Sequence, residues 1–306
     1  MIRPPALRQG DLVRVIAPAS PFDRGRFDKG VRVLEELGFR VAWRPDVFTS
    51  SGYLAGDDER RAQELTEAFA DPAVRGIVCA RGGYGTPRLL ARLDFAALVK
   101  QPKVFVGFSD VTALLLAFHR AGLVTFHGPM TTGRMSEANF SPEDRDSFVR
   151  TVGEAKPAGV AGEGRVLVPG DAEGPLVGGN LALVAALCGT PWAPLAEGAI
   201  LFLEDVGEKP YRIDRLLTQL EHAGVLRAAA GIAFGRFSGC ENPADPSQKV
   251  EELLVSFAER IGKPAIAGLP FGHDGENRTL PVGVRARLSQ GVLSVVEPAV
   301  EAARVG

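Results

Sequence analysis

Gly76-Ile77-Val78-Cys79-Ala80-Arg81-Gly82-Gly83-Tyr84-Gly85 reads as a short, uninterrupted apolar strand that runs directly into a glycine loop. Lys103-Val104-Phe105-Val106-Gly107-Phe108-Ser109-Asp110 repeats the pattern: an apolar strand, then a polar turn. Between them Pro87 opens a helical segment through Leu89, Leu90, Leu93 and Phe95, and after them Val111 to Ala121 reads as an apolar helix. Strands apolar on every residue are buried on both faces. When they alternate with helices they predict a parallel sheet covered on two sides. The pattern extends upstream. Leu12 to Ala17 is a strand, Phe27, Val31, Leu34 and Leu37 recur at helical spacing, Phe39 to Trp43 is a strand, and Asp57 to Phe69 is a charged helix. Leu123 to Phe126 adds a strand before His127-Gly128-Pro129. Sites in such sheets lie beyond the carboxyl ends of the strands. The Gly82 loop and Ser109 are therefore expected on one edge.

The second half is less regular. Gly198 to Leu203 is an apolar strand ending in Glu204-Asp205, and Ile213, Leu216, Leu217 and Leu220 mark a helix. Gly231 to Phe237 and Ala265 to Leu269 read as strands around a helix carried by Val250, Leu253, Leu254, Phe257 and Ile261. Val282 to Leu288 and Val292 to Val296 alternate around Gln290-Gly291, which predicts a terminal hairpin. Ser141 caps a helix to Glu154, and Pro157 to Gly164 lacks periodicity. The expected fold is α/β: an N-terminal parallel-sheet, Rossmann-like domain over residues 1–155, a linker over 156–168, and a smaller β-rich α+β domain over 169–306.

Composition excludes several classes. Lys+Arg 35 against Asp+Glu 37 leaves a net charge of −2, so there is no broad positive field and no nucleic-acid partner is expected. No run of about 18 apolar residues exists, which predicts no membrane partner, and Met1 to Gly10 is no secretory segment. Cys79, Cys188 and Cys240 are odd in number and widely spaced; they suggest neither disulfides nor a metal knuckle and fit a reducing cytoplasm. Metal motifs are missing, so no metal and no cofactor are expected.

Ser109 sits where a strand turns into a helix, a position that exposes a hydroxyl and aims helix N-terminal amides at a developing oxyanion. The local sequence equally suits a simple N-cap. Arg81 to Gly85 lets backbone approach a ligand closely and matches no nucleotide fingerprint, and Gly178-Gly179-Asn180 is a weaker signal of the same kind. Of four histidines, His119 and His222 lie near helix ends. His127 follows a strand, and His273 lies in the polar loop Phe271 to Asn277, a setting that suits a general base. Glu204 and Asp205 emerge from an apolar strand, where a carboxylate is costly to bury unless paired; Asp274 and Glu208 are rivals for orienting the imidazole.

Taken in order, these segments resemble the LD-carboxypeptidase family of serine peptidases, which includes murein tetrapeptide carboxypeptidases and has the microcin C immunity proteins as relatives. The resemblance spans Gly10 to Ser20, Ala80 to Gly85, Gly107 to Leu114, His127-Gly128-Pro129, Gly178 to Leu181, Leu203-Glu204-Asp205, Tyr211 to Arg215 and Pro270 to His273. It implies a triad of Ser109 as nucleophile, Glu204 as acid and His273 as base. It also implies an oxyanion hole from the backbone N–H of Asp110 and of Gly83 or Gly82. The implied substrate is a small muropeptide cut before a terminal D-alanine, and a homodimer is implied as well. Arg81 and Arg278 are candidates for the substrate carboxylate by position. Two other readings stand beside this one. One is an immunity-like hydrolase of acyl-sulfamoyl or acyl-phosphoramidate adenylates, in which Trp192 would stack on adenine; the other is a non-catalytic small-molecule binding module.

Overall fold

The structure, a computed structural model, describes residues 1–138, 140–241, 244–245 and 247–302. Its first half alternates as read. Strand β1 (Leu12–Ile16) leads to α1 (Arg24–Glu36), β2 (Arg40–Ala42), α2 (Asp58–Ala70) and β3 (Val74–Cys79). A short helix α3 (Phe95–Leu98), β4 (Val104–Gly107), α4 (Thr112–Arg120), β5 (Thr125–His127) and α5 (Pro142–Gly153) follow. The helix expected from Pro87 is instead a 3-10 segment, Thr86–Arg92, that breaks before α3. Asp23, Asp57 and Ser141 each accept a backbone N–H at the N-terminus of their helix, which explains where α1, α2 and α5 begin.

The second half contributes β6 (Pro157–Glu163), β7 (Arg165–Val168), β8 (Ala172–Asn180), α6 (Leu181–Ala186), β9 (Ile200–Val206), α7 (Pro210–His222) and α8 (Val225–Ala228). It continues with β10 (Gly231–Ser238), α9 (Val250–Ile261), β11 (Ala265–Ala267), β12 (Leu280–Val282), β13 (Arg285–Ser289) and β14 (Val292–Pro298). Residues 156–168, expected as linker, supply two edge strands of the second sheet. An edge strand tolerates Pro157 and buries little, so β6 carries almost no apolar periodicity to read. Gly178-Gly179-Asn180, read as a loop signal, is the end of β8. A Cβ on Gly178 would lie 1.9 Å from the Phe202 carbonyl oxygen, and one on Gly179 would lie 2.5 Å from Thr112 Oγ1. These glycines let β8 close on β9 and α4.

One sheet has the order β12-β5-β4-β3-β1-β2, with β5 to β2 mutually parallel. The other runs β6-β14-β13-β8-β9-β10-β11-β7, with a parallel centre, β8 to β11, flanked by antiparallel strands. The architecture is α/β with two sheets. The chain crosses back late: β12 pairs antiparallel with β5, placing Leu280 opposite His127. Gln290 and Gly291, both at positive φ (49° and 81°), turn the β13–β14 hairpin. Helix α4 packs against β5, β8, α6 and β12, and Thr112 to His119 are buried throughout, as expected of a helix apolar all round. Its N-terminus opens at Ser109.

Candidate active site

Ser109 begins a 3-10 turn directly after β4, with φ of 62°. A left-handed backbone on a residue with a Cβ costs roughly 1–2 kcal/mol, so the surroundings must hold it there. They do so through Asp110. Thr86 N–H donates to Asp110 Oδ2 at 2.8 Å, and Thr86 Oγ1 donates to the Asp110 carbonyl. Burial pushes the Asp110 carboxyl above its ordinary range, opposed by the Thr86 bonds.

His273 reaches this hydroxyl from the second half of the chain. Its Nε2 lies 2.9 Å from Ser109 Oγ, and its Nδ1 lies 2.7 Å from Glu204 Oε2. A carboxylate only accepts, so the proton sits on Nδ1 and Nε2 is bare toward the serine. Glu204 is fully buried on β9, where an unpaired charge would cost several kcal/mol. Burial pulls the His273 pKa down, but the hydrogen bond and charge of Glu204 outweigh it, and the net shift is upward. Gly272, at φ 130°, sits where a Cβ would come within 3.3 Å of Glu204 Oε2. That glycine lets the loop lie on the carboxylate.

The glycine loop forms the facing wall. A Cβ on Gly82 would stand 2.8 Å from Ser109 Cβ and 3.2 Å from the Asp110 amide nitrogen. Ser20, just past β1, pins the loop: its N–H donates to the Gly82 carbonyl at 3.2 Å, and its Oγ accepts the Tyr84 N–H at 3.0 Å. Arg61, fully buried, donates to the Pro18 and Gly85 carbonyls at 2.6 and 2.9 Å. Sequence reading missed both residues. Arg61 sits in a charged helical stretch that reads as solvated, and only the tertiary fold turns it inward.

The remaining candidates separate. Asp205 faces away from Glu204, accepts from Asn180 Nδ2 and Ala182 N–H at 2.9 Å each, and is pushed by burial up to about 6. Asp274 accepts from Gly275 N–H, and Glu208 pairs with Arg212 at 2.9 Å. His127 is fully buried among Phe108, Phe202 and Phe271, and burial lowers its pKa to about 4. His119 is likewise buried and lowered by burial to about 4, and His222 is exposed at the end of α7. Arg81 Nη1 donates to the Pro21 carbonyl at 2.8 Å, and Arg278 Nε to Glu276 at 2.9 Å. Trp192 is half-buried against the core, beside Ala193, whose carbonyl takes a bond from Arg120 at the far end of α4. A cavity of about 550 Å³ lies at the opposite edge of the first sheet, lined by Asp11, Val74 and Lys103, and touches none of the site residues.

A hydroxyl on a strained turn, an imidazole and a buried carboxylate in one hydrogen-bonded line form the constellation of a serine hydrolase. Comparison with known proteins narrows that class. The chain belongs to the LD-carboxypeptidase family of serine peptidases: residues 13–128 match the LD-carboxypeptidase N-terminal domain and residues 173–288 its C-terminal domain. It is 40% identical to a "Probable murein peptide carboxypeptidase" of Bacillus subtilis, over 94% of this chain and 91% of that one. The crystal structure of a muramoyltetrapeptide carboxypeptidase from Oxalobacter formigenes superposes with a TM-score of 0.85 at 33% identity, covering 96% of this chain and all of that one. The Microcin C7 self-immunity protein MccF of Escherichia coli is 28% identical over 88% of this chain and 87% of that one.

Proposed function

We propose that this protein is a serine carboxypeptidase that hydrolyses the amide between an L-centre diamino acid and a terminal D-alanine in murein tetrapeptides. Ser109 Oγ attacks the carbonyl carbon while His273 Nε2 takes the hydroxyl proton. Glu204 holds the Nδ1–H and balances the imidazolium. The tetrahedral oxygen faces the Asp110 N–H and a glycine N–H of the loop. Gly83 fits better than Gly82, because the Gly82 carbonyl points at Ser20 and a trans peptide aims the following N–H the opposite way. His273 protonates the departing amine, D-alanine leaves, and water attacks the acyl-enzyme by the same route. The terminal carboxylate falls to Arg81 or Arg278, each of which keeps guanidinium N–H groups beyond the bond described above.

The observation that carries this reading is the 2.9 Å approach of His273 Nε2 to Ser109 Oγ in a chain of this family. The reading extends to cytoplasmic trimming of recycled muropeptides by a homodimer. No described helix is long and apolar enough to cross a membrane. The adenylate-conjugate reading rests on the MccF similarity. Product analysis of the purified protein with a murein tetrapeptide beside an aminoacyl-sulfamoyl adenosine decides between them. Release of D-alanine from the tetrapeptide is expected. Cleavage of the adenosine conjugate alone would replace this reading with the other.

A further inference from the structure

The chain has three tyrosines, and all are exposed: Tyr53 at 63%, Tyr84 at 49% and Tyr211 at 59%. Two of them meet. The rings of Tyr53 and Tyr84 lie edge to face, with centroids 5.4 Å apart and planes at 74°. Tyr84 directly follows the Gly82-Gly83 pair that lies against Ser109, and its N–H is held by Ser20 Oγ. Tyr53 stands on a turn closed by reciprocal bonds between Ser51 and Leu54 (2.8 and 3.1 Å), and Ala55 N–H ties that turn to the Ala19 carbonyl at 2.8 Å. Both backbones are thus anchored to the segment after β1. Arg88, paired with Asp58 at 2.8 and 2.9 Å, lies near enough for both phenols to help raise its pKa, after the larger effect of Asp58. An exposed aromatic pair on fixed backbone, rimmed by a charged pair and beside a reacting serine, has the make-up of a binding surface.

We propose that Tyr53 and Tyr84 form a platform for an N-acetylhexosamine ring, so that the enzyme grips the glycan end of a sugar-bearing muropeptide. This rests on the carboxypeptidase reading above. The span fits. In a tetrapeptide carried on a sugar, the bond before the fourth residue stands three residues from the sugar, or about 10 Å extended. Gly82 touches Ser109, and two further residues put the Tyr84 Cα within about 7 Å of Gly82, with the ring reaching beyond it. The aliphatic C–H face of a pyranose packs on an aromatic ring, and the Arg88–Asp58 pair supplies donors and acceptors for its hydroxyl and acetamido groups.

The test has a catalytic arm and a binding arm. In the first, kcat/KM is measured for wild type, Tyr53→Ala and Tyr53→Phe on a free tetrapeptide and on the disaccharide-linked tetrapeptide. Tyr53→Ala is expected to cut kcat/KM on the linked substrate about tenfold through KM, to leave the free peptide within twofold, and to be rescued by Tyr53→Phe. In the second, the peptide-free disaccharide is titrated into wild type and Tyr53→Ala by calorimetry or NMR; binding that weakens about tenfold in the variant supports the platform. Equal effects on both substrates, or a disaccharide that does not bind wild type, overturn it. Failure to cleave any tetrapeptide removes the carboxypeptidase reading instead, and the disaccharide titration still decides the platform.

Discussion

Glu204 and Asp205 are consecutive on β9 and serve opposite faces of it. Glu204 Oε2 meets His273 Nδ1 at 2.7 Å, while Asp205 is taken up by Asn180 and the first turn of α6. The alternation of a strand assigns the two carboxylates to separate tasks. One faces the imidazole; the other locks β9 to the end of β8, where Thr112 Oγ1 also accepts the Asn180 N–H at 3.1 Å. The wall that carries Glu204 is thereby fastened to the helix that follows Ser109.

Glu204→Gln is expected to lower kcat about 10⁴-fold, as when a triad carboxylate elsewhere becomes an amide and the wrong tautomer is favoured. The pH profile adds a sign. His273 must be neutral at Nε2 to act as base, and its pKa lies above the ordinary 6.5 because Glu204 favours the charged ring over the opposing effect of burial. The acidic limb of kcat/KM should therefore fall at a pH above 6.5. In Glu204→Gln it should move down as burial prevails. A residual limb at the wild-type position would assign the titration to another group.

Ser109 tests strain and chemistry together. At φ 62° a glycine sits without strain, whereas an alanine carries the same left-handed penalty as the serine. Ser109→Ala and Ser109→Gly should both lose turnover on a tetrapeptide by about 10⁴-fold or more. Thermal melting should rank Gly above Ala by about 1 kcal/mol. Alanine melting at or above glycine would mean that the turn relaxes in solution, and retained turnover in either variant would remove Ser109 as nucleophile.

The parts legible in the sequence share a physical cause. Strand β4 and the Gly76–Cys79 stretch of β3 are buried on both faces, so their residues are apolar without interruption and the glycine and serine turns stand out after them. Edge strands β6 and β7 bury little and leave no such mark. Glu204 could be noticed because it ends an apolar strand, but nothing local separates it from Asp205, and only the strand's two faces do. Ser109, His273 and the Glu204–Asp205 pair stand out as candidates from their settings, the family resemblance selects Ser109, Glu204 and His273 among them, and the fold brings these three side chains within hydrogen-bond reach. Arg61 and Ser20 escaped because their roles are to bind backbone carbonyls and amides distant in the chain. The Tyr53–Tyr84 contact was invisible for the same reason: it exists only once two loops meet.

Gly82→Ala introduces a methyl group 2.8 Å from Ser109 Cβ and 3.0 Å from its Oγ, closer than real Cβ atoms come. Either the loop retreats or the serine turns away, and both displace the amides proposed as oxyanion donors. A loss of about 10²–10³ in kcat is expected, comparable to removing one oxyanion-hole donor, with KM changing less. Unchanged kcat would mean that the loop takes no part in stabilising the oxyanion.

Chelation is expected to leave turnover unchanged, because the proposed chemistry needs only a hydroxyl, an imidazole and a carboxylate. Among the described residues no group of three or more His, Cys, Asp or Glu side chains is placed to hold a metal ion. Activity lost in EDTA and restored by zinc would contradict the serine mechanism.

Acid stability should be set in part by the two buried histidines, His119 and His127. Burial lowers both His119 and His127 from 6.5 to about 4. Between those values the unfolded chain binds protons that the folded one refuses, so stability is fully present above pH 6.5 and is lost as pH falls toward 4. Each shift is worth on the order of 3 kcal/mol. His273 works the other way: its raised pKa stabilises below 6.5 and is lost as pH rises through the folded value. Asp205, pushed up to about 6, and Asp110, also raised by burial, oppose the two histidines in the same window, so the histidine share is read from variants rather than from the net slope. His127→Phe, which keeps an aromatic ring among Phe108, Phe202 and Phe271, should lower that slope by about one proton. A slope identical to wild type would show that His127 is protonated in the folded state at moderately acidic pH, contrary to its burial.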